Sequence, residues 1–196
     1  MKRTLVIHPF DLSTDFLCKI YSDIKMCSVI RSSISKENLI ELIRVHERIV
    51  FLGHGDDSGL FSFDVIQPQY YINNGSIHHN NDKLMVGLSD YLEEKDCIFI
   101  WCHASSWLSE QLNKGFKIKG FATGMFISEI SEARLYDIKA TLTDIRSSNE
   151  MFANIMAKNL NEPRLFEKVK KEYMCDKLDS RYELIQFNNS LIDTSA

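Results

Sequence analysis

Two segments of the chain are continuously apolar and rich in β-branched and aromatic residues, which is typical of strands buried on both faces of a sheet. They cover residues 49–52 and 97–101. Shorter apolar runs predict further strands at residues 3–7, 27–31, 118–122 and 182–187. The strongest strand signals therefore lie in the middle of the chain.

Between the strands, apolar residues recur at the three- and four-residue spacing of amphipathic helices. The predicted helices cover residues 16–24, 35–45, 80–94, 105–114, 126–135, 149–160 and 164–173, with a hairpin or irregular excursion at 61–71. Strands that alternate with helices indicate βαβ units, right-handed crossovers and a mostly parallel sheet. The predicted fold class is α/β, with the sheet between two helical layers, in a single domain over residues 1–196.

Composition favours a globular protein and argues against several other classes. The 196 residues are 44% hydrophobic, and 23 basic against 27 acidic side chains leave a net charge of −4. Because there is no basic stripe, we expect no nucleic-acid partner. We also expect no membrane contact and no signal peptide, because every apolar run is far shorter than the roughly 20 residues that cross a bilayer. Five cysteines at irregular spacing indicate reduced thiols and a cytoplasmic protein.

A reactive side chain follows each of the two strongest strands. His54 comes shortly after the first strand, and Cys102 comes directly after the second. Parallel sheets bind ligands beyond the carboxyl ends of their strands, so neighbouring strands would bring the two side chains together. Such a pair suits nucleophilic catalysis, because imidazole takes the thiol proton and returns it to the leaving group. Gly55 leaves room for a substrate, and its backbone N–H can face a developing oxyanion.

The same residues also have simpler interpretations. A cysteine at the end of a buried strand is often only a small core residue, and a histidine in a glycine-rich loop is often only a turn residue. Asp11 and Asp15 are interpreted as helix caps that could line the same crevice, and His46 as a surface residue.

Neither a metal nor a cofactor is expected. The side chains that might suggest a metal site lack ligand spacing: His78, His79, His103, Cys102 and Asp56. Adjacent strand residues point to opposite faces, so Cys102 and His103 should not bind one ion together. No glycine-rich loop opens a helix after a strand, as a nucleotide site would require.

Residues 49–55 and 97–102 together resemble the caspase/gingipain/separase-type cysteine peptidases of clan CD. In that family one hydrophobic strand ends in His-Gly, and a second ends in the nucleophilic cysteine. Gly53-His54-Gly55 is similar to the histidine motif of gingipain-like and separase-like members. The resemblance implies a caspase-like fold and a Cys–His dyad that hydrolyses a bond in a peptide or protein substrate.

The resemblance also implies a role for each site residue. His54 would be the general base and acid, Cys102 the nucleophile, and the backbone N–H groups of Gly55 and Cys102 the oxyanion hole. The chain departs from the family at Trp101, where a small residue is usual, and at residues 103–107, which match no family stretch. A catalytically inactive caspase-like binding or regulatory module is therefore the alternative hypothesis.

Substrate preference and thiol acidity are the remaining expectations. The resemblance implies substrate contacts at Asp56, Thr123 and Gly124. Residues 121–125 contain no arginine, which argues against a preference for aspartate. Asp56, Asp57 and Glu110 are either an acidic rim that favours lysine or arginine or simply solvated loop carboxylates. A Cys102–His54 dyad should hold the pKa of the thiol well below the usual value of about 8.5. The oligomeric state stays open.

Overall fold

The computed structural model describes residues 2–63, 70–73, 76–79 and 83–194. Its strands, in chain order, are β1 (Thr4–Ile7), β2 (Cys27–Ile30), β3 (Arg48–Leu52), β4 (Gly55–Asp56), β5 (Gly59–Leu60), β6 (Tyr70–Asn73), β7 (Ser76–His79), β8 (Asp96–Ile100), β9 (Lys119–Thr123) and β10 (Ile192–Thr194). Its helices are the 3-10 helix η1 (Asp15–Ile20) and the α-helices α1 (Lys36–Val45), α2 (Ser89–Leu92), α3 (Ala104–Asn113), α4 (Ile130–Leu135), α5 (Leu142–Asn159), α6 (Leu165–Glu172) and α7 (Tyr182–Ser190).

The central sheet has six strands in the order β10-β9-β8-β3-β1-β2. Its five strands from β9 to β2 are parallel, and β10 adds to the edge in the antiparallel direction. β3 lies between β1 and β8, and its last residue, Leu52, pairs with Ile100, the last residue of β8. The carboxyl ends of the two strongest predicted strands therefore lie side by side.

Helices cover both faces of this sheet, which confirms the predicted α/β fold. On one face, Ile49, Phe51 and Phe99 pack with α1, α2 and α3 in one apolar cluster. On the other face, Val50 and Ile98 pack with η1, α5, α6 and α7 in a second cluster. The strands are apolar on both faces because both faces are covered.

Residues 182–187 form a helix, so the predicted strand there is wrong. The buried positions of α7 include Leu184, Ile185 and Asn188, which is helical spacing with a polar member. Asn188 is buried because its side-chain amide bonds both backbone groups of Ile127, with its Oδ1 accepting from the Ile127 N–H at 2.8 Å and its Nδ2 donating to the Ile127 carbonyl at 3.0 Å. The antiparallel edge strand β10 follows this helix, where no strand was predicted.

Several predicted helices are shorter in the structure. Of residues 80–94, only Ser89–Leu92 are helical, and residues 80–82 lie outside the described part of the chain. Gly87 has a φ of +69°, a left-handed conformation that a right-handed helix cannot contain, so the helix begins after it. Of residues 126–135, only Ile130–Leu135 are helical, because Asn188 bonds the Ile127 backbone and Glu129 is extended. The first predicted helix is the short 3-10 helix η1.

His46 is not a surface residue. Only 9% of it is exposed, its Nδ1 lies 2.6 Å from the carbonyl oxygen of Leu42, and its Nε2 lies 3.0 Å from the hydroxyl of Ser28. The His46 ring therefore links the end of α1 to β2. Residues 64–69 of the predicted excursion, and the side chains of His78 and His79, lie outside what the structure describes.

Candidate active site

His54 and Cys102 leave the sheet at the same edge. Pairing between the strands continues one residue beyond β3, where the backbone N–H of Gly53 donates to the carbonyl of Ile100 at 3.1 Å. Gly53 has a φ of +141°, which a residue with a side chain adopts only under strain. This glycine turns the chain out of β3 and delivers His54 to the loop beyond the sheet.

A hydrogen-bonded chain orients the ring of His54. Its Nε2 lies 2.6 Å from the hydroxyl oxygen of Ser13, and that hydroxyl donates to Oδ1 of Asp11 at 2.6 Å. The backbone N–H of Ser13 donates to the same carboxylate oxygen at 2.7 Å. Because the single proton of the serine hydroxyl goes to Asp11, Nε2–H of His54 is the donor to Ser13. Nδ1 is then the nitrogen that is left for chemistry.

Carboxylates surround His54. Its Nε2 lies 3.8 Å from Asp11 and 3.7 Å from Oε1 of Glu129. Burial by itself lowers the pKa of His54, but Asp11, Glu129 and Glu132 outweigh burial and raise that pKa above 6.5. The interaction with His54, with support from Ser13, holds the pKa of Asp11 below its ordinary value. These carboxylates therefore make the ring of His54 a better proton acceptor than burial alone would allow.

Cys102 contacts the same polypeptide segment that His54 contacts. Its thiol points to the carbonyl of Phe126 at 3.6 Å and to Oε1 of Glu132 at 3.7 Å. Burial, followed by the charge of Glu132, raises the pKa of Cys102 well above the ordinary thiol value. The prediction of a depressed pKa is therefore wrong for this conformation, because a carboxylate and not an imidazolium is the thiol's partner.

Glu129 and Glu132 form the cap at the start of α4. Oε2 of Glu132 accepts the backbone N–H groups of Ser128, at 2.7 Å, and of Glu129, at 3.0 Å. Its other oxygen faces Cys102, while the carboxylate of Glu129 faces His54. One short cap thus touches both predicted catalytic side chains.

The sequence analysis missed three residues of this site, namely Ser13, Glu129 and Glu132. The sequence contains one signal for the two acids, because two glutamates at the spacing of a capping box open α4. That signal predicts a helix start and says nothing about its contact with Cys102.

The residues expected to bind substrate lie close to the Cys102 backbone but serve the packing of the sheet edge. Thr123 is buried, and its hydroxyl donates to the carbonyl of Trp101 at 2.9 Å. Gly124, also buried, donates its backbone N–H to Leu191 and accepts that of His103.

The room expected at Gly55 is filled by the indole of Trp101, which lies where a side chain of residue 55 would be. Nε1 of Trp101 also donates to the carbonyl of Asp56 at 3.0 Å. Packing against Gly55 and this hydrogen bond therefore hold the Trp101 side chain in one position beside the site.

The acidic rim expected around the site is largely neutralised. Asp56 pairs with Lys83 at 2.6 Å, and Glu110 pairs with Lys114 at 2.7 Å. A small cleft runs instead along His54, between the loop after β1 and the chain after β5. It is lined by Pro9, Phe10, Asp11, His54 and residues 61–63. Asp11 is the acidic residue that lines this cleft.

Over the part of the chain that the structure describes, no group of three or more His, Cys, Asp or Glu residues is arranged to hold a metal ion. Within the same residues, no helix is long and apolar enough to cross a membrane. Comparisons with protein-family models, with curated proteins and with solved structures return no match. The caspase-type resemblance therefore stays a prediction from the motifs.

Proposed function

We propose that the protein is a cysteine peptidase-like thiol hydrolase, with Cys102 as nucleophile and His54 as general base and acid. The observation that supports this proposal is that both residues contact the same helix cap. Cys102 and His54 follow adjacent parallel strands. Cys102 contacts the cap of α4 through Glu132, and His54 contacts it through Glu129. A caspase-like version of the α/β fold and a cytoplasmic site of action belong to the same proposal.

The proposed reaction is acyl transfer through a thioester. The Cys102 sulfur attacks the substrate carbonyl, and Nδ1 of His54 takes the thiol proton, since Nε2–H is committed to Ser13. The protonated ring then gives that proton to the leaving amine as the C–N bond breaks. Water then attacks the thioester carbonyl and His54 takes its proton; as the C–S bond breaks, the carboxylic acid product leaves and the proton returns to the Cys102 sulfur. The backbone N–H groups of Gly55 and Cys102 are proposed to stabilise the oxyanion, and Asp56, Thr123 and Gly124 to border the substrate.

A catalytically inactive module with the same fold is the second candidate. The raised pKa of Cys102 favours it, because a partly buried thiol beside a carboxylate is a poor nucleophile at neutral pH. In that case the cleft along His54 binds a peptide without cleaving it.

A mixed peptide library separates the two candidates. We expect the wild-type protein to cleave library members, and Cys102→Ala and His54→Ala each to reduce the rate at least about 100-fold, the usual scale for losing a nucleophile or a proton-transfer group. Mass spectrometry of the products is the measurement, and thermal melting checks that the variants fold. Cleavage that survives in Cys102→Ala, or no cleavage by the wild type from acid to alkaline pH, contradicts the hydrolase proposal.

A further inference from the structure

Glu132 is the charged side chain in direct contact with the proposed nucleophile. Its Oε1 lies 3.7 Å from the Cys102 sulfur, within reach of the single thiol hydrogen, which the Phe126 carbonyl at 3.6 Å can accept instead. A thiol is tolerated beside this carboxylate, whereas a thiolate would bring a second negative charge against the first. The position of Glu132 therefore favours the protonated form of Cys102.

The position of Glu132 is fixed by the start of α4. Its Oε2 accepts two backbone N–H groups of the cap and lies 3.3 Å from the hydroxyl of Ser128. Moving the carboxylate away from Cys102 would break these bonds, each of which satisfies a donor at the helix start. Glu132 is thus held against the sulfur by contacts that do not involve the sulfur.

Other titratable groups around Cys102 act in both directions. Glu129, in the same cap, and Tyr136, which follows α4, would oppose a negative charge on the sulfur. His54, across the strand boundary, is positive when protonated, but Asp11 and Glu129 already balance it. Burial raises the pKa of Glu132 itself, whereas the backbone N–H groups of Ser128 and Glu129 favour its charged form. The charges nearest the sulfur are acidic and therefore favour the neutral thiol.

We propose that Glu132 is a brake on Cys102: its carboxylate, 3.7 Å from the sulfur, opposes a negative charge there and keeps the thiol protonated in the resting protein. This inference rests on the proposed function, because it explains how that function is held back. Reactivity of Cys102 rises when the charge of Glu132 is removed. The residue acts through Cys102 and is not itself a catalytic residue.

Alkylation of Cys102 by iodoacetamide tests the brake without a substrate. In this reaction a sulfur–carbon bond forms, the carbon–iodine bond breaks, iodide leaves and the thiol proton goes to solvent, so the rate follows the thiolate fraction. We expect Glu132→Gln to alkylate Cys102 about tenfold faster than the wild type at pH 7, with the midpoint of the pH profile shifted down by about one unit. Peptide mass mapping follows Cys102 apart from the other four cysteines.

Two further variants keep this test decisive. Glutamine at this helix position can still accept the cap hydrogen bonds, so Glu132→Gln should fold. Glu132→Asp withdraws the carboxylate by one methylene, and we expect a smaller shift in the same direction. Glu167→Gln is the matched control, because Glu167 lies on α6, is 61% exposed and pairs with Arg164. Profiles of Glu132→Gln and Glu132→Asp that coincide with those of the wild type and the control overturn the proposal.

The two experiments distinguish failure of the brake proposal from failure of the hydrolase proposal. If Glu132→Gln is alkylated faster but neither it nor the wild type cleaves peptides, the brake proposal is supported and the hydrolase proposal is contradicted. If cleavage depends on Cys102 but alkylation is unchanged in Glu132→Gln, the hydrolase proposal is supported and the brake proposal is contradicted.

Discussion

His8 is fully buried at the end of β1, where its ring faces hydroxyl groups. Its Nδ1 lies 3.0 Å from the Tyr21 hydroxyl, and its Nε2 lies 3.3 Å from the Thr14 hydroxyl. Burial, with a smaller effect of the Arg31 charge, lowers the pKa of His8 from 6.5 to about 4. The folded protein therefore keeps this ring neutral at a pH where the unfolded chain protonates it.

We expect His8 to make the protein less stable as the pH falls from about 6.5 to 4. In that window the unfolded state binds the extra proton, so the free energy of unfolding rises with pH. The shift to about 4 sets an upper limit of roughly 3 kcal/mol for this one residue. Urea unfolding at about pH 4.5 and pH 7 is the measurement, and His8→Asn should show a smaller difference between the two. Equal differences in wild type and variant contradict the assignment.

The segment between β9 and α4 is the element that shapes the candidate site, and α7 holds it in place. The Asn188 side chain bonds both the N–H and the carbonyl of Ile127, and neither residue is more than 1% exposed. The Phe126 carbonyl beside it contacts Cys102, and the α4 cap follows directly. A helix near the end of the chain thus positions the contacts of the proposed nucleophile.

Asn188→Ala should destabilise the protein by about 2–6 kcal/mol. It leaves the N–H and the carbonyl of Ile127 buried without this partner, and each unsatisfied group costs roughly 1–3 kcal/mol. Urea unfolding gives the loss of stability, and hydrogen exchange at the Ile127 amide should accelerate by more than exchange in β3. A change below about 0.5 kcal/mol would show that water or a shifted backbone replaces the amide.

At the scale of the whole molecule, an aromatic cluster joins the centre of the sheet to α3. Phe99 stacks on Phe51 with ring centres 5.7 Å apart, and Trp107 of α3 lies 5.3 Å from Phe99 and 5.8 Å from Trp101. These rings are at most 3% exposed. The cluster lies under the carboxyl edge of β3 and β8, so core packing and the site share the same strands.

We expect Phe99→Ala to lower the free energy of unfolding by about 3–5 kcal/mol, the usual cost of removing a buried ring and leaving a cavity. Leu178→Ala is the control, because Leu178 is 96% exposed and should change stability by less than about 0.5 kcal/mol. Denaturant titration of both variants is the measurement. Similar losses of stability in the two variants would contradict the expected contribution of the aromatic cluster to the core.

The sequence by itself determined the framework that presents His54 and Cys102. The runs at residues 49–52 and 97–101 are apolar on both faces, a pattern typical of a covered, mostly parallel sheet. Side-chain pattern along one strand is a local property, so it can be read without knowing the partners. The same local rules failed at α7, where the buried Asn188 interrupts the apolar pattern, and at β10, whose pairing depends on the edge of β9.

Only the tertiary structure decided which groups surround those two side chains. Ser13 reaches His54 from the loop after β1, and Glu132 reaches Cys102 from the start of α4. The expected low pKa of Cys102 was wrong for the same reason: acidity depends on burial and on charges a few ångströms away, which come from distant parts of the chain. Strand patterns determine where a side chain leaves the sheet, and the folded contacts determine what it can do there.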